Sequence, residues 1–209
     1  MNTELKKDKL SVKIYDTRKQ MGEKAAEDAA AYLKSLLSKQ EQVNIIFAAA
    51  PSQNEFLESL SATPGIEWSR INALHMDEYI GLDKDAPQGF GNFLKERIFD
   101  KVPFKSVHYL NGQDPDPIHA CQVYEKILSE FPVDIVFMGI GENGHIAFND
   151  PHVANFNDTK RVKIVDLDDR CRHQQVNDGC FKHINEVPTH ALTLTVPALL
   201  TAARNSFLR

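Results

Sequence analysis

Three features of the sequence predict an α/β fold, a single-domain three-layer α/β/α arrangement on a mainly parallel, Rossmann-like sheet. Short β-branched runs alternate with stretches of helical periodicity along the chain, a pattern that covers a parallel sheet with helices on both faces. The most apolar run, Val133 to Met138, reads as a strand buried on both sides. It breaks directly into Gly139, Gly141 and Gly144, and open parallel sheets place their ligands where strands end in such loops.

The elements follow in order. Val12 to Tyr15 alternates as a short first strand. From Arg18 to Ser38 the apolar positions Met21, Ala25, Ala29, Leu33 and Leu36 fall at helical spacing. Val43 to Phe47 is a second strand, and Ala48-Ala49-Ala50-Pro51-Ser52 follows it. Ser52 reads as an N-cap with Glu55 as its capping-box partner, ahead of the buried stripe Phe56, Leu57 and Leu60. After the Pro64-Gly65 turn, Ile71 to His75 is a third strand that runs into Met76-Asp77-Glu78-Tyr79. Gly81 to Gly91 is a loop, Asn92 to Phe99 a helix, Val107 to Leu110 a fourth strand and Pro117 to Phe131 a helix. Beyond the glycine loop, Val162 to Val165 reads as a strand, Asp168 to Gln175 as a short helix and His190 to Val196 as a strand. Pro197 then opens a last helix through Leu199 and Leu200. No repeat or linker interrupts the chain, so residues 1–209 read as one domain. An apolar segment restarts at Phe207-Leu208 just before Arg209, which reads as truncation.

Composition narrows the function classes. Hydrophobic residues make up 42% and charged ones 25%, as in ordinary globular proteins. Acidic residues outnumber basic ones, 29 to 24, and no basic block is longer than a short pair such as Lys6-Lys7 or Lys160-Arg161. That argues against nucleic acid as a partner, since binding it takes a basic face; an anionic small molecule needs only local positive potential. No apolar run approaches membrane-spanning length, and Met1 to Lys9 is too charged for a signal peptide. Cys121, Cys171 and Cys180 are an odd number without metal-like pairing, which points to reduced thiols in a cytoplasmic protein. No histidine shows metal-ligand spacing, so neither metal nor cofactor is expected.

Three strand ends carry candidate chemistry. The second offers Ala48, Ala49, Ala50 and Ser52 ahead of a helix whose free amides suit an anion. The third offers Asp77 and Glu78, and the central one Asn143, His145 and Asp150. His145 and Asp150 would point roughly 140° apart on one continuous helix. Pro151 disfavours helical geometry at Asp150, so a turn at Asn149-Asp150 can return the carboxylate to the imidazole and raise its basicity. Each residue also has a plainer reading. His145 alone reads as a satisfied buried histidine, and the glycines alone as a tight turn. Asp77 and Glu78 alone read as a solvated strand end, and Ser52 as a cap. Asp166, Asp168 and Asp169 read as charges at a helix N-terminus rather than a metal site. The convergence of three loops on one sheet edge favours a site.

Four segments make the chain recognisable: Met76-Asp77-Glu78-Tyr79-Ile80-Gly81-Leu82, Leu110-Asn111-Gly112, the run from Phe137 to Pro151, and Val187 to Val196. In order and spacing they resemble the glucosamine-6-phosphate deaminase/isomerase family, which shares its fold with 6-phosphogluconolactonases. The lactonases usually carry Asp-Glu-Arg where this chain has Asp77-Glu78-Tyr79. The resemblance implies metal-free conversion of a hexosamine phosphate to fructose 6-phosphate and ammonia. His145 would open the ring, Asp150 and Asn143 would orient it, and Asp77 would move the proton from C2 to C1. It implies Ala48, Ala49, Ala50, Ser52, Glu78, Gly139 and Gly144 around the substrate, and it admits a homo-oligomer.

Departures from the family pattern matter too. Asn143 stands where many members have aspartate, Asp150 where they have glutamate, and Ala48-Ala49-Ala50-Pro51 where they have Gly-Gly-Thr-Pro. A family arginine that grips phosphate aligns near Gly179, with Arg170 and Arg172 as the nearby substitutes. A family phosphate-binding lysine falls beyond the end of this chain. A lactonase-like hydrolase and a non-catalytic sugar-phosphate sensor are the alternatives.

Overall fold

A computed structural model describes residues 3–208. Met1, Asn2 and Arg209 lie outside the described residues, as do the ends of the 1–209 domain reading and the residue at which truncation was read. The first two strands, β1 (Thr3–Lys7) and β2 (Leu10–Ile14), pair antiparallel in a hairpin. The first strand read at Val12 to Tyr15 falls on β2, which among the described residues pairs with β1 apart from the main sheet, its side chains exposed. Helix α1 (Arg18–Leu37) follows, capped by the Thr17 hydroxyl, which accepts the Gln20 amide.

β3 (Val43–Phe47), α2 (Asn54–Ala62) and β4 (Ile71–His75) come next, then the short β5 (Asp77–Tyr79). α3 (Phe90–Leu94) runs on through a wider turn at Lys95–Phe99, and β6 (Ser106–His108) and α4 (Pro117–Glu130) follow. The remainder is β7 (Ile135–Gly139), β8 (Val162–Asp166), α5 (Asp169–Asn177), β9 (His190–Leu194), α6 (Val196–Leu200) and β10 (Arg204–Leu208).

Five strands form a wholly parallel sheet in the order β10-β7-β3-β4-β6. Successive strand side chains point to opposite faces. Val43, Ile45 and Phe47 of β3 therefore pack with α1 and α2, while Ile46 joins Leu74, Val136 and Met138 against α4 and α6. These two clusters are the two interfaces of the expected three layers. α1 and α2 approach so closely that a Cβ on Gly22 would lie 2.6 Å from the Cβ of Glu55.

Two expectations are corrected. Asp77–Tyr79, Val162–Asp166 and His190–Leu194 leave the parallel sheet and form a separate antiparallel one, β5-β9-β8. Its apolar side chains bury against α6 on one face, and Tyr79, Phe148, Val165, Leu167 and Ala191 make a third cluster. Periodicity reports burial and not strand partner, so it could not separate the sheets. Ser52 is also not the helix cap. Pro51–Gln53 form a 3₁₀ turn, Gln53 takes the N-cap position without a side-chain bond, and Arg18 holds Glu55 through two bonds of 2.9 and 2.8 Å.

Candidate active site

The carboxyl ends of β3, β4 and β7 open into a cleft of about 540 Å³. It is lined by Ala48 to Ser52, Met76 and Asp77, and by Gly139 to Glu142 and His145. Phe90, Phe93 and Arg97 line it as well, as do Gln174, Gln175 and Gly179 of α5 and its exit.

The loop after β7 folds tightly around its histidine. The Gly144 amide donates to the Gly141 carbonyl (3.0 Å), and the Gly141 amide to that of His145 (2.9 Å). Gly144 sits at φ +87°, where a side chain is strained, so a glycine is needed for this reversal. The imidazole lies flat against Gly141, and a Cβ there would meet ring atom Cε1 at 2.2 Å. Ala147, two residues on, is also left-handed at φ +47°.

Three side chains make a closed network. Asn143 Oδ1 accepts the His145 backbone amide at 3.1 Å and faces ring Nδ1 at 2.7 Å, while its Nδ2 donates to Asp150 Oδ1 at 2.7 Å. Asp150 Oδ1 also lies 3.1 Å from Nδ1. Both neighbours of Nδ1 are acceptors, so Nδ1 carries the proton, and in the neutral ring Nε2 holds the lone pair. The shorter aspartate thus reaches the ring. Asparagine at 143 spares the network the repulsion a second carboxylate would bring beside Asp150. Asp150 is fully buried; burial pushes its pKa up, and the bonds from His145 and Asn143 outweigh that and hold it below the usual carboxylate value.

Asp77 meets the opposite conditions. It is buried and lines the cleft, and no side-chain bond holds its carboxyl among the described residues. Burial, and then the neighbouring charge of Glu78, raise its pKa well above the ordinary value. A desolvated carboxyl without a cation partner suits a group that takes and returns a proton.

The remaining expected residues divide. Ala48, Ala49, Ala50, Ser52 and Gly139 line the cleft; Gly144 serves the turn behind it. Glu78 does not reach it. Its carboxylate is consumed by the amides of Tyr79, Phe90 and Gly91 at 2.9 to 3.0 Å, which anchors the start of α3. Arg172 is likewise turned away, donating to the carbonyls of Ile184 (2.8 Å) and Val187 (3.0 Å) to brace the approach to β9. Arg170 is exposed outside the cleft. Sequence reading missed Arg18 and Arg97, which do line it. Arg97 donates from Nε to Asn54 (2.7 Å) and from Nη1 to Glu96 (3.1 Å), and lies 3.8 Å above the Phe93 ring. Neither arginine sits in a recognisable motif, and only the packing of α1 and α3 against the α2 entry brings them in. Among the described residues no group of three or more histidine, cysteine or acidic side chains is placed to hold a metal ion.

Comparison with known proteins identifies the family and the fold. Residues 16–209 match the family described as glucosamine-6-phosphate isomerases/6-phosphogluconolactonase. A glucosamine-6-phosphate deaminase of Exiguobacterium sp. is 39% identical over 137 residues, 66% of this chain and 52% of the relative. The chain spans about half the length of the curated relatives it matches. A monomeric glucosamine-6-phosphate deaminase of solved structure superposes with a TM-score of 0.82 at 25% identity, over 92% of this chain and 79% of that one. A 6-phosphogluconolactonase from Thermotoga maritima gives 0.73 at 21% identity, over 90% and 78%, and shows the shared fold.

Proposed function

Because the chain belongs to the glucosamine-6-phosphate isomerase/6-phosphogluconolactonase family, we propose that it converts a hexosamine 6-phosphate, glucosamine 6-phosphate first among them, to fructose 6-phosphate and ammonia. The observation that carries this reading is that Asp77 and His145, from different strands, line one cleft. His145 takes the C1 hydroxyl proton on Nε2 and gives it to the ring oxygen, which opens the sugar. Asp77 as carboxylate then removes the proton from C2 of the aldose while O1 takes a proton from the protonated amine, leaving a neutral enolamine, and Asp77 returns its own proton to C1. The resulting imine at C2 adds water and expels ammonia, so one water enters and one ammonia leaves. Asn143 and Asp150 keep the His145 lone pair facing the sugar.

The phosphate is placed at the entry to α2, against the backbone of Ala49 and Ala50. Arg97 and Arg18 supply charge there in place of the family threonine and arginine that this chain lacks. Arg97→Ala is expected to raise KM about tenfold with little change in kcat, the worth of one charge-assisted contact. Reduced thiols at Cys121, Cys171 and Cys180 suit a cytoplasmic setting.

The test is an assay of ammonia and fructose 6-phosphate formed from glucosamine 6-phosphate, beside hydrolysis of 6-phosphogluconolactone, each repeated with Asp77→Asn. Ammonia release that depends on Asp77 supports the proposal. Lactone hydrolysis that survives Asp77→Asn, with no ammonia formed, replaces it with the hydrolase reading. Binding of the sugar phosphate with neither product replaces it with the sensor.

A further inference from the structure

No sequence motif singled out His75, yet it is fully buried at the carboxyl end of β4, two residues before Asp77. Its hydrogen bonds fix its chemical form. The Leu110 backbone amide donates to ring Nε2 at 2.9 Å, so Nε2 is unprotonated. Nδ1 then carries the proton and donates to the Asp77 carbonyl at 3.0 Å. Tyr124 grips the same residue, its hydroxyl accepting the His75 amide (3.0 Å) and donating to the His75 carbonyl (2.8 Å). The titratable groups around the ring are thus Asp77, Tyr124 and, edge-on at 5.9 Å, Tyr109, and none of them is a cation. Burial accordingly lowers the His75 pKa to about 4, against the partial support of the Asp77 carbonyl.

This ring stands where the chain quits one sheet for another. The Met76 carbonyl already accepts the Leu194 amide at 2.8 Å, and Asp77 pairs with Thr193 across β5 and β9. Because no side-chain bond among the described residues orients the Asp77 carboxyl, its direction is inherited from its backbone. We infer that His75 is a positioning residue for Asp77, using its Nδ1–H on the Asp77 carbonyl to aim the carboxyl into the cleft, with Nε2 tying that junction to the strand end at Leu110. The inference rests on the reading of Asp77 as the proton-transfer group.

Two substitutions separate the ring's two bonds. The amide of His75→Asn reaches the place of Nδ1 and keeps a donor for Asp77, whereas that of His75→Gln reaches the place of Nε2 and serves Leu110 alone. His75→Asn is expected to keep kcat within about threefold. His75→Gln is expected to lose roughly 10- to 100-fold in kcat with KM nearly unchanged, since a misplacement of about 1 Å costs that much. The acid limb of the kcat–pH profile should move with glutamine and stay with asparagine. Equal kcat in the two variants, the reverse order, or failure of both to fold overturns the inference and leaves His75 a purely structural residue. If the unmodified protein releases no ammonia, the reading of function fails on its own. The inference is then decided by the Asp77 carboxyl titration, followed by carbon NMR in both variants: a shift confined to glutamine keeps it, and a shift in neither or in both ends it.

Discussion

Asp77 sits where the chain leaves the parallel sheet, and Asp150 where the loop after β7 closes on its histidine; both carboxyls are buried, and their surroundings treat them oppositely. Asp150 is held by Asn143 and His145 and is driven toward its charged form. Asp77 is bonded by no side chain among the described residues and is driven toward its neutral form. Burial alone therefore does not set a carboxyl's role. The partners that burial brings do: one aspartate is fixed as an anion that orients a ring, and the other is left with its proton loosely assigned.

The strongest way to break this comparison is Asp77→Asn. Turnover should fall by about 10² to 10⁴, the usual worth of a general base. Stability should move the other way. The folded pKa lies above the unfolded one, so the group's contribution is fully present below the unfolded value of 3.8 and is lost as pH rises through the folded value. At neutral pH asparagine removes that loss, and melting curves of the variant should lie above those of the parent and converge with them in acid. A variant less stable than the parent at neutral pH would show that Asp77 is satisfied as an anion.

Asp150→Asn should invert the result. Its folded pKa is depressed, so its contribution holds above the unfolded value of 3.8 and is lost as pH falls through the folded one. Asparagine should cost about 2 kcal/mol near neutrality, as expected for charge-assisted bonds, measured by denaturant titration. Ring opening should slow by up to about 100-fold through misorientation of His145. If both asparagine variants shift stability in the same direction, the contrast between the two carboxyls is wrong.

Much of this was legible in the sequence, and the failures have physical reasons. Val43–Phe47 and Ile71–His75 were read with their observed bounds, because strands buried on both faces are apolar without interruption and end at turns. The parallel order followed from helices lying between the strands. The second sheet did not, because Val162–Asp166 alternates much as an edge strand of the main sheet would, and nothing local says that it pairs antiparallel with His190–Leu194. Asp77, His145 and Asp150 were accessible because a glycine loop and a strand end mark them. Glu78 and Arg172 were misplaced because spacing gives no direction to a long side chain, and backbone amides and carbonyls captured both. His75 was passed over because a histidine inside an apolar strand carries no sequence signal for which nitrogen is bonded.

A smaller perturbation acts on one side of the comparison only. Gly141→Ala would put a Cβ 2.2 Å from the His145 ring while leaving Asp77 untouched. The ring must swing or the loop must shift, at roughly 1–3 kcal/mol for an overpacked contact. The kcat for the cyclic sugar should fall about tenfold, by misalignment of Nε2. A substrate supplied already open, by an analogue that cannot close, should lose much less. Equal losses for both would mean that the substitution reaches Asp77 as well.

The mildest change is Ala147→Gly. Ala147 holds φ +47°, a conformation that costs an L-residue about 1–2 kcal/mol. Glycine escapes that cost but gives up roughly 0.5–1 kcal/mol of chain entropy on folding. The Ala147 methyl also packs against the cluster under α4 and α6, and losing it costs roughly 0.8 kcal/mol, so the three quantities nearly cancel and the denaturant midpoint should move little, at constant slope. Activity should drop no more than about twofold, because the His145 network is closed by Asn143 and Asp150 and does not pass through residue 147. A larger drop, with stability little changed, would mean that the strained alanine holds His145 against Gly141, and that the rigidity of the β7 loop depends on that one backbone angle as well as on its hydrogen bonds.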